Sequence, residues 1–148
     1  MNSIKAQISQ KSDSLAIMAI ISDVFDGMRS SDSSMISKHM HQDVKMQSIG
    51  YDKSGDTKLT RATNADGWLN AVAQPKKQVW DERTWNYQMQ LNEMLANVWM
   101  DYAFYVDENF SHCGVNSFTL VKLNDIWKII YIIDTRKQED CKNPETLK

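Results

Sequence analysis

Four long strand-like segments, joined by short polar stretches, fill the second half of the chain and restrict its fold more than any other feature. Val79 to Leu91, Met94 to Val106, Cys113 to Leu123 and Ile126 to Thr135 are rich in Trp, Tyr, Thr, Val and Ile, the types that suit a pleated, half-buried surface. The breaks at Asn92-Glu93, around Asp107 to Asn109 and at Asn124-Asp125 are too short for a parallel crossover, which takes about a dozen residues, so neighbours pair antiparallel. The last segment is apolar on both sides. Simple alternation puts Ile126, Ile130 and Ile132 on one face with Lys128, and Trp127, Ile129, Tyr131 and Ile133 on the other. One face can cover helices. The other is either covered by the chain itself or takes a partner, for which a second copy of the same sheet is the simplest candidate.

The first third has the other periodicity. Ile17, Ile20, Ile21, Val24, Phe25 and Met28 recur at helical spacing and form one stripe. Ser12, Asp13 and Ser14 offer N-cap oxygens just upstream. Gly27 costs a helix about 1 kcal/mol against Ala, and close packing against another backbone accounts for it. The run from Ser30 to Ser33 breaks the helix and can cap a short second one through Met35, Ile36 and His39. Val44 to Ile49 reads as a strand, Asp52 to Asp56 as a turn, and Leu59 to Ala62 as a short strand. Asn64 can cap a third helix carrying Trp68, Leu69 and Val72, which Pro75 closes. Helices first and an antiparallel meander after make an α+β fold, with N-terminal helices packed on an antiparallel sheet.

The length of 148 residues suits one domain, residues 1–148, with its core in about 12–141. No apolar run approaches the ~20 residues of a membrane span. Residues Met1 to Lys11 are polar and do not read as a signal peptide, so the expected location is cytoplasmic. A net charge of −2 without a basic stripe excludes a phosphate-backbone surface, so nucleic acid is not expected as a partner. The Lys76-Lys77 and Arg136-Lys137 clusters read as solvated surface. His39, His41 and His112 form no metal-ligand set, and no metal or cofactor is expected. Cys113 reads as a small buried hydrophobe. A Cys113–Cys141 bridge is possible, and sequence alone does not decide it.

Several strings, in this order, resemble a known family. Phe25-Asp26-Gly27-Met28 and Trp80-Asp81-Glu82-Arg83 precede Trp99 to Tyr105, Ser111-His112-Cys113-Gly114, Phe118 to Val121, Trp127-Lys128-Ile129 and Asp134-Thr135-Arg136. Over residues 12–141 this resembles the bacterial lumazine-binding proteins of the nuclear transport factor 2-like superfamily. The resemblance implies a cone-shaped fold, a pocket between helices and concave sheet, and commonly a sheet-to-sheet dimer. The superfamily holds isomerases, dehydratases, cyclases, epoxide hydrolases and non-catalytic modules, so it implies no single activity.

The residues offer graded chemistry. A half-buried carboxyl or a His–carboxylate pair in an apolar cavity becomes a usable acid or base near neutrality. His112, starting the third long strand, is the first candidate, against a purely structural histidine. Asp101, mid-strand between Trp99 and Ala103, needs a partner or a pocket. Asp134 and Arg136 are two apart and share a strand face, which fits a structural ion pair and can also orient His112 or meet an anionic ligand. Trp85, Trp99, Tyr102 and Tyr131, with Arg136, are the candidate pocket lining. Asp81, Glu82 and Arg83 read as a charged strand end. No phosphate loop, nucleophile elbow or metal motif is present in the sequence. The expected function is small-molecule binding in a mostly apolar pocket of a homodimer. The alternatives are a cofactor-free lyase or isomerase using His112 with a carboxylate, and a protein-binding module.

Overall fold

The computed structural model describes residues 2–75 and 77–142. Its elements are α1 (Asn2–Ser30), α2 (Ser33–Ser37), β1 (Met40–Tyr51), β2 (Thr57–Leu59), α3 (Asp66–Ala73), β3 (Trp80–Leu91), β4 (Leu95–Val106), β5 (Asn109–Leu123) and β6 (Ile126–Arg136). Helix α1 starts well before the expected caps. Its Ser12–Ser14 stretch stays helical because Asp13 has a tertiary role instead: its carboxylate accepts from Lys122 Nζ at 2.8 Å and from Trp127 Nε1 at 2.9 Å. The expected break after Ser30 is present, and Asp32 caps α2 by accepting from the Ser34 N–H at 3.0 Å. Gly27 lies where a side chain would meet Ile36 and the Asp32 carbonyl at under 3 Å, which explains glycine inside a helix. Lys77 is exposed, and Lys76 of the expected surface pair lies outside the described residues.

The strands form one open sheet in the order β2-β1-β6-β5-β4-β3. The meander from β3 to β6 is antiparallel, as the turns require. The sheet is nevertheless mixed rather than wholly antiparallel, because β1 pairs with β6 in parallel. The chain between these two strands is long enough for that crossover. The helices cover one face. Ile17, Ile21 and Val24 from α1, Ile36 from α2 and Val72 from α3 are completely buried against Val98, Met100, Leu120 and Ile129 of the sheet. Each such side chain contributes about 1.5–3 kcal/mol relative to exposure.

Bulges reset the strand faces. In β6, Thr119 pairs with Tyr131 while the next residue, Leu120, pairs with Ile129, so Ile130 is an extra residue. Trp127 and Ile129 face the helices, and beyond the bulge Ile132, Asp134 and Arg136 continue that face. The simple alternation expected for this strand therefore fails at Ile130. A second bulge, after Trp85 in β3, passes through Asn86 at φ 55°.

Beyond β6 the chain stays against β5. Lys137 exchanges backbone hydrogen bonds with Cys113, each 2.9 Å. Cys141 closes a disulfide with Cys113, with the Cα atoms 5.9 Å apart. Cys113 is buried, as expected, but as half of a bridge. Among the described residues no helix is long and apolar enough to cross a membrane.

Candidate functional site

Between α1, α3 and the inner face of the sheet lies a cavity of about 750 Å³. Strand alternation decides what enters it. On β3, Trp80 and Glu82 point inward; on β4, Tyr102 and Phe104; on β5, His112, Asn116 and Phe118; on β6, Ile132, Asp134 and Arg136. Phe25, Met28 and Trp68 close the helical side. The walls are aromatic and aliphatic, and the polar groups fall into three sets.

The first set is Glu82 with Asn116. The Asn116 amide donates to Glu82 Oε1 at 2.6 Å. Glu82 touches the cavity, yet protein surrounds it on all other sides. Desolvation pushes its carboxyl up to about 7, with Asp134 adding to the rise and the Asn116 bond, Arg136 and Arg29 opposing it.

The second set is centred on Asp134. Its carboxylate accepts from Arg136 Nε at 2.8 Å, from the Tyr102 hydroxyl at 3.1 Å and from the Ser48 hydroxyl. Tyr102 shares its proton with the Thr135 carbonyl at 2.7 Å. Burial, followed by the charges of Asp134 and Glu82, raises the Tyr102 phenol far above its ordinary range, so it acts as a donor. Burial opposes the charge on Arg136, but the Asp134 hydrogen bond and the charges of Asp134, Tyr102 and Glu82 together outweigh it and leave its pKa raised. Asp134 thus gathers three donors, from β1, β4 and its own strand.

The third set is His112. Its Nδ1 lies 3.0 Å from Ser111 Oγ, and its ring packs on Phe104 and edge-on to Tyr102 at centroid distances of 5.1 and 5.7 Å. Burial first, then the Arg136 charge, hold it below the usual histidine range. Among the described residues no carboxylate hydrogen-bonds to it, so the expected His–carboxylate pair does not form.

The remaining expected site residues lie elsewhere. Asp101 cannot share a face with Tyr102, its neighbour on the strand. It is buried on the outer face, where Asn86 Nδ2 donates to it at 3.1 Å and Lys142 Nζ lies 3.6 Å away. Trp85 pairs across the sheet with Asp101 on that same face, and its buried Nε1 has no partner among the described residues. Trp99 is 42% exposed there. Tyr131 is turned outward by the Ile130 bulge and donates to Gln47 Oε1 at 2.6 Å.

Glu82 and Asn116 were missed. The signal for Glu82 was its place two residues after Trp80, which puts both on one face; reading Asp81, Glu82 and Arg83 as a unit hid that. Asn116 shares a face with His112 and Phe118 by the same rule. Among the described residues no group of three or more His, Cys, Asp or Glu could hold a metal ion.

No family model matches the sequence, and no curated protein does. Solved structures do. The chain is similar to a nuclear transport factor 2-like protein with a cystatin-like fold from Novosphingobium aromaticivorans, at 11% identity and TM-score 0.71, covering 95% of this chain and 92% of that one. It is similar to a candidate scytalone dehydratase from the same organism, at 12% identity and TM-score 0.69, covering 89% of each chain. It is also similar to a candidate calcium/calmodulin-dependent kinase II association domain from Exiguobacterium sibiricum, at 14% identity and TM-score 0.65, covering 86% of this chain and 95% of that one. The protein has the nuclear transport factor 2-like, cystatin-like fold. The finer resemblance to the lumazine-binding family gains no support from these matches.

Proposed function

We propose that the protein binds a small, largely apolar organic molecule in this cavity, the whole chain serving as one domain around it. The observation that carries the reading is the open space itself: about 750 Å³, within the range of small-molecule sites, with mainly apolar walls converging on a few polar groups. A screen of small aromatic and alicyclic compounds by thermal shift tests it, run on the native protein and on Met46→Trp, which puts an indole into the cavity and narrows it. Compounds that raise the Tm of the native protein and lose that effect in the variant support the reading. Shifts unchanged in the narrowed variant for every compound, or no shift at all, refute it.

Glu82 favours a second reading, a cofactor-free lyase or isomerase. A carboxyl with a pKa of about 7 can take and return a proton at neutral pH, which makes Glu82 a better acid/base than the expected His112. Similarity to a candidate dehydratase agrees with this class of chemistry. Glu82→Gln would then abolish deuterium exchange at the carbon next to a bound ligand's carbonyl, and exchange in the native protein would change with an inflection near pH 7. Undiminished exchange in Glu82→Gln would remove Glu82 from that role.

For the quaternary state, we propose that two copies pair through the outer sheet face, where Trp99 is 42% exposed and Tyr131 and Ile133 are half-buried. Trp99→Asp would then convert a dimer to a monomer in sedimentation velocity; a native monomer would contradict the pairing. The Cys113–Cys141 bond is of a kind that persists in oxidising compartments, which speaks against the expected cytoplasmic location.

A further inference from the structure

A second cavity, of about 1010 Å³, lies against the first. The two share Ser48, Thr60, His112 and Arg136. The inner compartment is mainly apolar, whereas the outer one is bounded by the β1–β2 turn and by Lys137–Asp140, with many charged side chains. Arg136 stands at the junction. Its Nε is committed to Asp134 at 2.8 Å, but its two terminal amines donate to no described residue, and the side chain is 55% exposed. Asp134 also accepts from Tyr102 and Ser48, so three donors already share its two oxygens. His112, also at the junction, has Nδ1 beside Ser111 Oγ. With Nδ1 accepting from that hydroxyl, Nε2–H is a further donor.

An arginine fork open on one side, next to an apolar chamber, is matched by a carboxylate on an apolar body, since guanidinium binds carboxylate through two parallel hydrogen bonds. We propose that the molecule taken by this site is an organic acid, with its apolar body in the inner cavity and its carboxylate on the terminal amines of Arg136 beside His112. The proposal rests on the small-molecule reading above and adds the chemical class.

Isothermal titration with 2-naphthoate and its neutral counterpart 2-naphthamide tests it. The two share a ring system and differ in charge. The native protein is expected to bind the naphthoate about tenfold or more tightly than the amide, as a charge-assisted hydrogen-bonded pair implies. R136Q should erase most of that preference. Should R136Q fail to fold, R136K reads the same point: it keeps the charge but loses the fork, and the preference should drop several-fold. Equal binding of both probes, or a preference untouched by R136Q and R136K, overturns the organic-acid proposal and leaves the cavity reading standing. Binding of neither probe, in a protein that no compound of the thermal-shift screen stabilises, overturns both.

Discussion

Tyr102 on β4 reaches Asp134 on β6, two strands away, its hydroxyl 3.1 Å from the carboxylate. It crosses β5 at Gly114, its own cross-strand partner. A Cβ at Gly114 would lie 2.0 Å from the Thr135 carbonyl, the atom that also receives the Tyr102 hydroxyl. Glycine there lets the sheet close up and lets the phenol pass over it.

Gly114→Ala is therefore expected to destabilise the fold by about 3 kcal/mol, because the atoms it meets are backbone and cannot step aside cheaply. Urea denaturation measures it. A change below about 0.5 kcal/mol, the scale of a neutral surface substitution, would show that the contact is not close.

Glu82 makes stability depend on pH with a sign opposite to that of a salt-bridged acid. Its folded pKa of about 7 exceeds the ordinary 4.5, so between these values the folded state binds more protons than the unfolded one. Stability from this group is full below about 4.5 and falls as pH rises through about 7. The difference in stability between Glu82→Gln and the native protein, followed by urea titration from pH 4 to 8, should move in favour of the variant with rising pH. A difference that stays flat across that window would place the Glu82 pKa near its ordinary value.

The disulfide closes a loop of 28 residues in sequence separation, for which the loss of unfolded-chain entropy corresponds to roughly 3–4 kcal/mol. Cys141→Ser should lower stability by about that amount, and a reducing agent should do the same to the native protein but nothing further to the variant. Identical urea midpoints with and without reductant would mean that the thiols are not paired.

The meander, the α1 stripe and the three helices were legible because each rests on local periodicity or a short turn. The parallel β1–β6 pairing was not, since it depends on which strands meet after a long crossover. The site was half legible. Asp134 and Arg136 line the cavity together with Tyr102 and His112, and period-two spacing already places the first two on one face. The same rule, applied to Trp99, Asp101 and Tyr102, forbids all three from one cavity, yet they were grouped by residue type. Tyr131 and Ile133 were beyond reach, because a one-residue bulge at Ile130 leaves no mark in a run of isoleucines. Glu82 looked like a strand-end charge because its hydrogen-bond partner in the cavity wall, Asn116, lies 34 residues away in the sequence.

The central claim is that the cavity takes an organic acid, its apolar body inside and its carboxylate on Arg136, and a crystal structure of the protein soaked with 2-naphthoate tests it most directly. The account predicts the ring in the inner cavity near Trp80 and Phe118, with the carboxylate about 3 Å from the terminal amines of Arg136. An inner cavity left without the probe at saturating concentration, or the ring found only on the outer sheet face beside Trp99, would contradict it.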